Sequence, residues 1–439
     1  MAPIYLNNYQ EFEAKAKLFA SNFNPCCILD SCEIKPQLNK GLYKLVIGFG
    51  GQEVSVSEKN QLDSLYSSWE INKSWLFGVL GYNLKNETEK LSSLNDKCFG
   101  WPDLSFFIPN IVITVTWNNE LNIEGVDASL IFDTINKYKS EAPSINHIIC
   151  SSDLLADLDK DNHKDGVNRI KEEILNGNVY ELNLCSRFLY ENISVGSAYS
   201  LYEELMEISP APFSAYFTLN NKYVLSASPE RFLTKKNNTL ISQPIKGTRP
   251  RGKTNEDDEV FKSDLASNKK DQAENVMIVD LVRNDMARVA KPGSVKVNEL
   301  FGVYSYSHVH QMVSTISSEL DKSLVWLDAI KALFPMGSMT GAPKIAAMQF
   351  IEEIELTNRE WYSGALGYID PFGNMDFNVL IRSIFYDLLQ NKLAYYSGGA
   401  ITIDSDTDEE YLEMTVKAKA IDSLILKYLF NQIKSFEKH

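Results

Sequence analysis

The sequence lacks any segment that is long and apolar enough to cross a membrane as a helix. No stretch of its 439 residues approaches the roughly 18 consecutive apolar residues that such a helix needs. The amino-terminal stretch MAPIYLNNYQEFEAKAKLF has no basic start followed by an apolar block, so we expect no signal peptide. Both absences predict a protein of the cytoplasm that makes no membrane contact.

Cysteine is scarce and poorly placed for metal or disulfide chemistry. No two cysteines have the C-x-x-C spacing of a zinc site, and a chain of this length does not depend on a disulfide framework. His308 and His310 have no cysteine or third histidine close by, which also disfavours zinc. The default interpretation is a reduced compartment. The six cysteines are Cys26, Cys27, Cys32, Cys98, Cys150 and Cys185.

Positive charge is in deficit. The chain has 43 Lys and Arg residues against 58 Asp and Glu residues, a formal net charge of −15. This balance disfavours binding to nucleic acid through its phosphates. Hydrophobic residues make up 44% of the chain, which is enough for one large core or for two domains. An enzyme that acts on a small molecule fits this composition.

Strands and helices alternate along the chain without the regular rhythm of a parallel sheet. We therefore predict an α+β fold in which antiparallel β-sheets pack as a sandwich and are covered by helices. The polar stretch SSDLLADLDKDNHKDG is typical of a linker and helix start. It separates a predicted amino-terminal region, residues 1–150, from a predicted catalytic domain, residues 160–430.

Several elements are predicted in more detail. In KDGVNRIKEEILNG, Val167, Ile170 and Ile174 share one helical face, and Gly177 ends the helix. The apolar run FFIPNIVITVTW predicts one buried strand. Further helices are predicted over 269–289, from Pro343 onward, where proline fits the first helical turn, and over 408–429.

Each candidate functional residue is weak when taken alone. Glu230 and Glu274 are as easily explained as solvated carboxylates. Glu410 and Glu413 share a helical face and could help to hold a hard divalent cation, although an acidic helix start is equally ordinary. Lys246, in PIKGTRPRG, is either a surface charge or a nucleophile. The residues alone leave these alternatives open.

Five stretches occur in one order and are far more specific together. They are PIKGTRPRG, AENVMIVDLVRND, FPMGSMTGAPKIAAMQFIEEIE, WYSGALGYID and SGGAITIDSDTDEEYLEMTVKAKA. Over roughly residues 165–420 the chain resembles the chorismate-binding enzymes, a family that includes anthranilate, aminodeoxychorismate, isochorismate and salicylate synthases. A weaker likeness extends into the amino-terminal region through CCILDSC.

The resemblance implies a magnesium ion and a general acid. Glu274 and Glu413 match the glutamates that hold Mg²⁺ on the ring carboxylate of chorismate, and Glu410 lies close to them. Mg²⁺ favours such an arrangement of a few carboxylates with water and a substrate anion. Glu230 matches the acid that protonates the departing C4 hydroxyl, a role that suits a carboxyl with a raised pKa.

The resemblance also implies contacts with the rest of the substrate. Arg382 and Tyr362 match residues that hold the enolpyruvyl carboxylate, which a planar guanidinium can bind bidentately. Gly398 and Gly399 match a backbone platform under the substrate, where a side chain would obstruct approach. Lys417 matches a lysine near the metal.

The loop before the predicted helix at Pro343 is a further candidate. It offers Ser338, Thr340 and free amide groups at a helix amino terminus, which is a natural seat for an anion.

Lys246 selects between branches of the family. Anthranilate synthases typically have alanine at this place, whereas common aminodeoxychorismate synthases have lysine. If the lysine amine attacks C2 of chorismate, ammonia can then attack C4 and displace it, which gives 4-amino-4-deoxychorismate for p-aminobenzoate and folate synthesis. This nucleophile must lose its proton, and we expect a site of low polarity to favour that loss.

Other interpretations stay open beside this one. The first alternative is anthranilate synthesis for tryptophan. The second is a non-catalytic regulatory protein that kept the fold and binds chorismate or tryptophan, although Glu230, Glu274 and Glu413, whose loss would favour it, are all present. Glu181 stands where salicylate synthases have a lysine base, which argues against isochorismate or salicylate synthesis. Gln311 stands where relatives often have histidine, and the neighbouring His310 would face the other way along a strand.

The expected source of ammonia lies outside this sequence. No Gly-x-Cys-x-Gly nucleophile turn of a glutamine amidotransferase occurs in it. We therefore expect a separate glutamine amidotransferase subunit as partner, with chorismate as the substrate.

Overall fold

The structure is a computed structural model, and it describes residues 4–5, 9–34, 41–139 and 148–436. Strands and helices alternate through these residues, as the sequence predicts. Two short 3₁₀ turns also occur, at Tyr82–Leu84 and Gly337–Met339.

The strands are numbered in chain order. In the first half they are β1 Ile4–Tyr5, β2 Cys26–Asp30, β3 Leu45–Phe49, β4 Gln52–Glu53, β5 Leu76–Leu80, β6 Leu104–Ile108, β7 Ile111–Val115, β8 Glu120–Gly125, β9 Ile148–Cys150, β10 Leu155–Ala156, β11 Glu181–Tyr190 and β12 Ile193–Val195. In the second half they are β13 Phe213–Leu219, β14 Lys222–Ser228, β15 Arg231–Lys236, β16 Thr239–Gln243, β17 Ile245–Pro250, β18 Lys296–Ser305, β19 Val309–Glu319, β20 Gly341–Ala342, β21 Ala365–Ile369, β22 Met375–Asn378, β23 Ser383–Asp387 and β24 Lys392–Ile401.

The helices are α1 Tyr9–Ala20, α2 Gln61–Asn72, α3 Lys85–Thr88, α4 Ala128–Lys137, α5 Lys160–Leu175, α6 Ala198–Ile208, α7 Asn255–Ser267, α8 Lys269–Ala287, α9 Trp326–Leu333, α10 Lys344–Ile354 and α11 Thr407–Phe436. Side-chain caps fix the starts of two helices that border the candidate site. Asp159 accepts a hydrogen bond from the Asn162 amide before α5, and Asn268 accepts one from the Asp271 amide before α8.

Most of the strands form two large sheets. The larger has twelve strands in the order β1-β8-β7-β3-β2-β13-β14-β23-β24-β11-β10, with β20 paired to β11. The smaller has ten strands in the order β17-β19-β16-β15-β22-β21-β5-β6-β4, with β18 paired to β19. Every named strand pair within the described residues is antiparallel, which confirms the predicted α+β class.

The two sheets share one apolar core. Buried residues from both sheets form a single cluster, and the rings of Phe107 on β6 and Phe217 on β13 lie 6.2 Å apart across it. A second cluster fills the space between the other face of the twelve-stranded sheet and helices that include α1, α6 and α11. Helices α7 and α8 pack against β17 and β19 of the ten-stranded sheet. The predicted sandwich with helical cover is therefore the observed arrangement.

The predicted single strand FFIPNIVITVTW is wrong. It forms β6 and β7, which lie in different sheets. Pro109 separates them, and a proline has no amide proton to donate to a sheet ladder. The chain therefore leaves one sheet and joins the other at this point.

The predicted helices are confirmed, with shifted ends. Helix α5 begins at Lys160 because Asp159 caps it, and Val167 and Ile170 are buried while Gly177 has a left-handed φ of 77°. Helix α8 matches its predicted span closely, α10 begins just after Pro343, and α11 extends to Phe436.

The predicted boundary between two domains near residue 150 stays a prediction. Both large sheets contain strands from either side of this boundary. For example, β2 pairs with β13, and β5 pairs with β21. Backbone hydrogen bonds therefore join the two predicted regions.

Candidate active site

The predicted site residues come together around β11, β17 and β24. Strand β11 pairs with β24 so that Cys185 lies opposite Gly398 and Leu184 opposite Gly399. The start of β11 also pairs with β20, which places Glu181 opposite Ala342 just before α10. Helices α5 and α10 pack on β11 through a small apolar cluster that includes Val167. This packing gives the site a rigid floor.

Glu230 lies in the turn between β14 and β15, and its surroundings suit a proton donor. The side chain is buried, and the Ser338 hydroxyl donates a hydrogen bond of 2.5 Å to its Oε1. Burial raises the pKa of Glu230 to about 7, while the bond from Ser338 and the charge of Lys246 oppose the rise. This raised pKa suits the predicted general acid, because the carboxyl is partly protonated near neutrality.

Lys246 is buried among carboxylates. Its Nζ lies 3.5 Å from Glu181 Oε1, and Glu181 is itself 1% exposed. The second oxygen of Glu181 is buried and has no hydrogen-bond partner among the described residues. Lys246 is thus a buried lysine paired with a carboxylate and not a solvated surface charge.

The expected loss of the Lys246 proton is wrong for the ligand-free protein. Burial lowers the pKa of Lys246, but the charges of Glu181, Glu274 and Glu230 together raise it above its ordinary value. The sequence could not show that three carboxylates surround this amine. The resting lysine is therefore an ammonium ion.

Glu410 and Glu413 converge on Gly399 from the first turns of α11. A Cβ placed on Gly399 would lie 3.4 Å from Glu410 Oε2 and 3.5 Å from Glu413 Oε1. Glu410 is buried and accepts a hydrogen bond of 2.6 Å from Ser405. Lys417 lies 2.6 Å from Glu413 Oε1 and donates to the Gly398 carbonyl at 3.0 Å. The missing side chain at Gly399 keeps a small cradle open between the two acids.

Glu274 lies on α8, and its charged neighbours are Lys246, Glu181, Lys270 and Asp271. Burial raises the pKa of Glu274 to about 7, and the charges of Lys246 and Lys270 oppose the rise. Lys270 lies one helical turn earlier on α8, and its Nζ is 3.5 Å from Glu410 Oε1. Burial lowers the pKa of Lys270, but Glu410, Glu274 and Glu413 raise it more. The structure thus brings all three predicted acids around one lysine.

Arg382 is a desolvated cation without a counter-ion. Within the described residues its guanidinium makes no ion pair or hydrogen bond, and burial alone lowers its pKa. Its backbone φ of 49° is left-handed, an unusual conformation for a residue with a side chain. Arg382 is partly exposed, and a partly desolvated guanidinium without a partner can bind a carboxylate.

Tyr362 is buried against residues of β11 and β24. Its ring stacks on Tyr396 with centroids 4.7 Å apart, and its hydroxyl lies 3.4 Å from Cys185 Sγ. Gly398 meets β11 so closely that a Cβ there would lie 2.2 Å from the Leu184 carbonyl oxygen. Only glycine fits this close approach, so packing alone requires Gly398, and its role under the substrate stays a prediction.

Thr340 points away from the cleft. It is fully buried, and its hydroxyl donates to the Met336 carbonyl at 3.1 Å. Ser338 contacts Glu230 instead of offering a free hydroxyl. The anion seat predicted before α10 therefore stays a prediction for its backbone amides, and Thr340 has a structural contact.

The sequence profile described as chorismate binding enzyme matches residues 26–423, most of the chain. The chain belongs to this family of chorismate-binding enzymes. Aminodeoxychorismate synthase component 1 of Bacillus subtilis is 40% identical over 266 residues, which cover 61% of this chain and 56% of that relative. Anthranilate synthase component 1 of Saccharolobus solfataricus is 34% identical over 355 residues, which cover 80% of this chain and 81% of that relative.

A solved member of the fold agrees with this membership. The structure of the menaquinone-specific isochorismate synthase of Escherichia coli matches with a TM-score of 0.75 and covers 96% of this chain and 93% of its own, at 17% identity. Likeness at that identity concerns the fold alone. The chain spans a little over half of the Bacillus relative. Because the relatives' names differ in reaction, the family is shown and the individual reaction is not.

A magnesium ion at the three acids stays a prediction, in which the acids would hold the ion together with water and a substrate anion. Among the described residues, no three His, Cys, Asp or Glu side chains form a ready metal-binding cluster. Glu410 and Glu413 nevertheless flank the cradle at Gly399, and Glu274 shares Lys270 with them. Mg²⁺ keeps several waters and uses one or two carboxylates with a substrate anion, so incomplete protein ligation suits it.

Two departures from the family's motifs lie on β19. His310 is fully buried, and its ring bonds to Ser305 and to Asp258 on α7, away from Lys246. Gln311 is 2% exposed, and its Oε1 has no hydrogen-bond partner within the described part of the chain. The predicted opposite directions of these neighbours agree with the strand geometry.

Sequence reasoning missed Lys270 and the contact between Glu181 and Lys246. Lys270 was recognisable, since it precedes Glu274 by four residues and must share its helical face. The partnership of Glu181 with Lys246 joins strands of different sheets, and no local pattern reveals it.

Within the described residues, every helix is too short or too polar to span a lipid bilayer.

Proposed function

We propose that the chain converts chorismate and ammonia into 4-amino-4-deoxychorismate. The observation that carries this proposal is the amine of Lys246, which is buried in the same cleft as the proton donor Glu230. The name of the Bacillus relative, aminodeoxychorismate synthase component 1, agrees with it. Lys246 is the nucleophile, and Glu230 is the general acid.

The first step joins the enzyme to the ring. The unprotonated Lys246 amine attacks C2 and forms a carbon–nitrogen bond, while both ring double bonds shift and the C4 hydroxyl departs. Glu230 gives its proton to that hydroxyl, which leaves as water. Its pKa of about 7 makes the protonated form available at neutral pH.

The second step releases the enzyme. Ammonia attacks C4, both double bonds shift back, and the bond between C2 and Lys246 breaks. The lysine leaves as a neutral amine, and the product carries its amino group at C4 as an ammonium. Across both steps one ammonia is consumed and one water is released.

Glu181 is the proposed base that accepts the proton of Lys246. Because the resting lysine is protonated, a base must accept its proton before attack on C2. Glu181 Oε1 lies 3.5 Å from Lys246 Nζ, and both side chains are buried. The carboxylate can take the proton when chorismate arrives.

The substrate carboxylates have separate partners. Arg382, which has no counter-ion among the described residues, binds the enolpyruvyl carboxylate beside Tyr362. Glu274 and Glu413, with Glu410, would hold Mg²⁺, which would neutralise the ring carboxylate when bound. Two anions held at fixed points orient C2 toward Lys246.

Ammonia comes from a separate glutamine amidotransferase subunit in this proposal. Two paired assays test it. Ammonium at raised pH supports turnover by the purified chain, whereas glutamine supports it only after an amidotransferase subunit is added. Glutamine-dependent turnover by the purified chain alone would contradict this part of the proposal.

Anthranilate formation is the second candidate. The Saccharolobus relative named anthranilate synthase component 1 matches over 80% of this chain. In that reaction ammonia attacks C2 directly, and Lys246 has no covalent part. The two candidates therefore differ in which carbon receives nitrogen.

Product analysis separates the candidates. The chain is incubated with chorismate, MgCl₂ and ammonium, and the products are chromatographed before and after addition of an aminodeoxychorismate lyase. We expect 4-amino-4-deoxychorismate, which the lyase converts to p-aminobenzoate. Anthranilate as the main product would favour the second candidate, and unchanged chorismate would contradict both.

A further inference from the structure

Lys270 has no part in the reaction proposed above, yet it lies in the middle of the acids assigned to the metal. It is the second residue of α8, and its side chain is about half exposed, at 48%. Glu274 follows it by one helical turn, so both side chains project from one face of α8. Glu410 and Glu413 approach from α11 on the other side of the cleft.

Each of three lysines in this cluster forms an ion pair with one carboxylate. Lys246 pairs with Glu181, Lys417 pairs with Glu413, and Lys270 pairs with Glu410. Lys270 also interacts electrostatically with Glu274 and Glu413, so its charge acts on all three acids.

Glu274 has no such direct pair. Within the described residues its carboxylate makes no ion pair or hydrogen bond of its own, and its favourable interactions are with the charges of Lys246 and Lys270. Lys270 therefore stands among the same three carboxylates that would otherwise repel one another across the cleft.

We propose that Lys270 is an internal counter-ion that holds Glu274, Glu410 and Glu413 together without a divalent cation, and that such a cation must displace it. This inference rests on the metal site of the proposed function. The occupant being displaced is the ammonium of Lys270, and the incoming ligand is Mg²⁺.

Two consequences follow from competition for the same carboxylates. Removal of the ammonium leaves three acids facing one another, so the metal-free protein loses stability. It also removes the competitor, so Mg²⁺ binds more tightly. A lysine with only a general electrostatic effect would produce neither result beyond that of its neighbour Lys269, which contacts Gln272 on α8.

The test compares Lys270→Met with Lys269→Met, a matched loss of one charge at the adjacent position. The thermal midpoint of each purified protein is followed as MgCl₂ is raised at constant ionic strength, without chorismate. We expect the metal-free midpoint of Lys270→Met to fall by about 1 °C. Its half-saturating MgCl₂ concentration should fall about three- to fivefold, the scale of one exposed ion pair.

Lys270→Arg keeps the cation and should titrate like the wild type. Equal half-saturation in Lys270→Met and Lys269→Met would overturn the proposal, as would weaker Mg²⁺ binding in Lys270→Met. If MgCl₂ leaves the wild-type midpoint unchanged, the metal assignment itself fails and the proposal fails with it. A wild type that responds to MgCl₂ while the variants agree overturns the role of Lys270 alone.

Discussion

Two buried ion pairs lie near strand β11, and they differ in how completely they are satisfied. In the pair of Glu355 and Arg359, the guanidinium donates to both carboxylate oxygens at 2.6 and 2.8 Å. It also donates to the Met339 and Asn183 carbonyls, and Glu355 accepts the Cys185 amide. In the other pair, Lys246 and Glu181 share one contact of 3.5 Å, and Glu181 Oε2 has no partner among the described residues.

This difference distinguishes an ion pair that stabilises the fold from an ion pair that has groups left to bind a ligand. The Arg359 network ties β11 to the loop that carries Ser338 and to the turn before Tyr362, and it leaves nothing for a ligand. Within the described residues, the guanidinium of Arg382 has no partner, and Glu181 Oε2 accepts no hydrogen bond. Buried polar groups are normally satisfied, so the unsatisfied groups of Arg382 and Glu181 are candidates for contact with a substrate.

The largest predicted effect is a loss of stability when the hydrogen-bonded pair of Arg359 and Glu355 is broken. Arg359→Met leaves Glu355 buried without its counter-ion, which costs about 3–5 kcal/mol of unfolding free energy. Denaturant unfolding followed by fluorescence measures the change. A variant as stable as the wild type would mean that the saturated network is not structural.

Neutralising one acid of the cluster should strongly reduce turnover without destabilising the fold. Glu274→Gln removes a carboxylate that has no direct partner among the described residues, so we expect the wild-type unfolding midpoint. Turnover of chorismate with MgCl₂ and ammonium should fall about 100- to 1000-fold, and Glu413→Gln should behave alike. Asp280→Asn, an exposed change on the same helix, is the control. Full activity of folded Glu274→Gln, or of the wild type in excess chelator, would remove the metal assignment.

Removal of the unpartnered guanidinium should weaken chorismate binding without loss of stability. Arg382→Met takes away a desolvated charge that no described residue neutralises, so the unfolding free energy should stay level or rise slightly. The KM for chorismate should rise about 10- to 100-fold, as for loss of a charge-assisted hydrogen-bonded pair. Steady-state kinetics and thermal unfolding of the same preparation decide the matter. An unchanged KM would show that Arg382 does not hold a substrate carboxylate.

The smallest predicted effect concerns Ser338 and the pH profile. Glu230 acts as an acid, so at saturating free ammonia kcat declines as pH rises through its pKa of about 7. The hydrogen bond from Ser338 stabilises the carboxylate form and lowers that pKa. Ser338→Ala should therefore raise the pKa and move the alkaline limb of the kcat profile upward by about one pH unit. A limb that stays in place, or moves down, would disconnect Ser338 from Glu230.

Local pattern was enough to predict much of the fold and of the candidate site. Residue spacing predicted α5 and α8, and the motifs identified Glu230, Lys246 and the acids of α8 and α11. Contacts between residues that are far apart in the sequence could not be predicted. The change of sheet at Pro109 depends on which strands lie beside β6 and β7, and the protonated state of Lys246 depends on carboxylates from three separate elements.

The product spectrum of Lys246→Ala at saturating ammonium tests the central claim most directly. The variant leaves the buried Glu181 without its ammonium, so we expect it to be less stable than the wild type but still folded. It should bind chorismate, because Arg382 and the three acids remain. We predict that it loses most formation of 4-amino-4-deoxychorismate, since the step that directs nitrogen to C4 is gone. A trace of product aminated at C2 is compatible with that result. If the folded variant makes 4-amino-4-deoxychorismate at the wild-type rate, Lys246 is not the nucleophile.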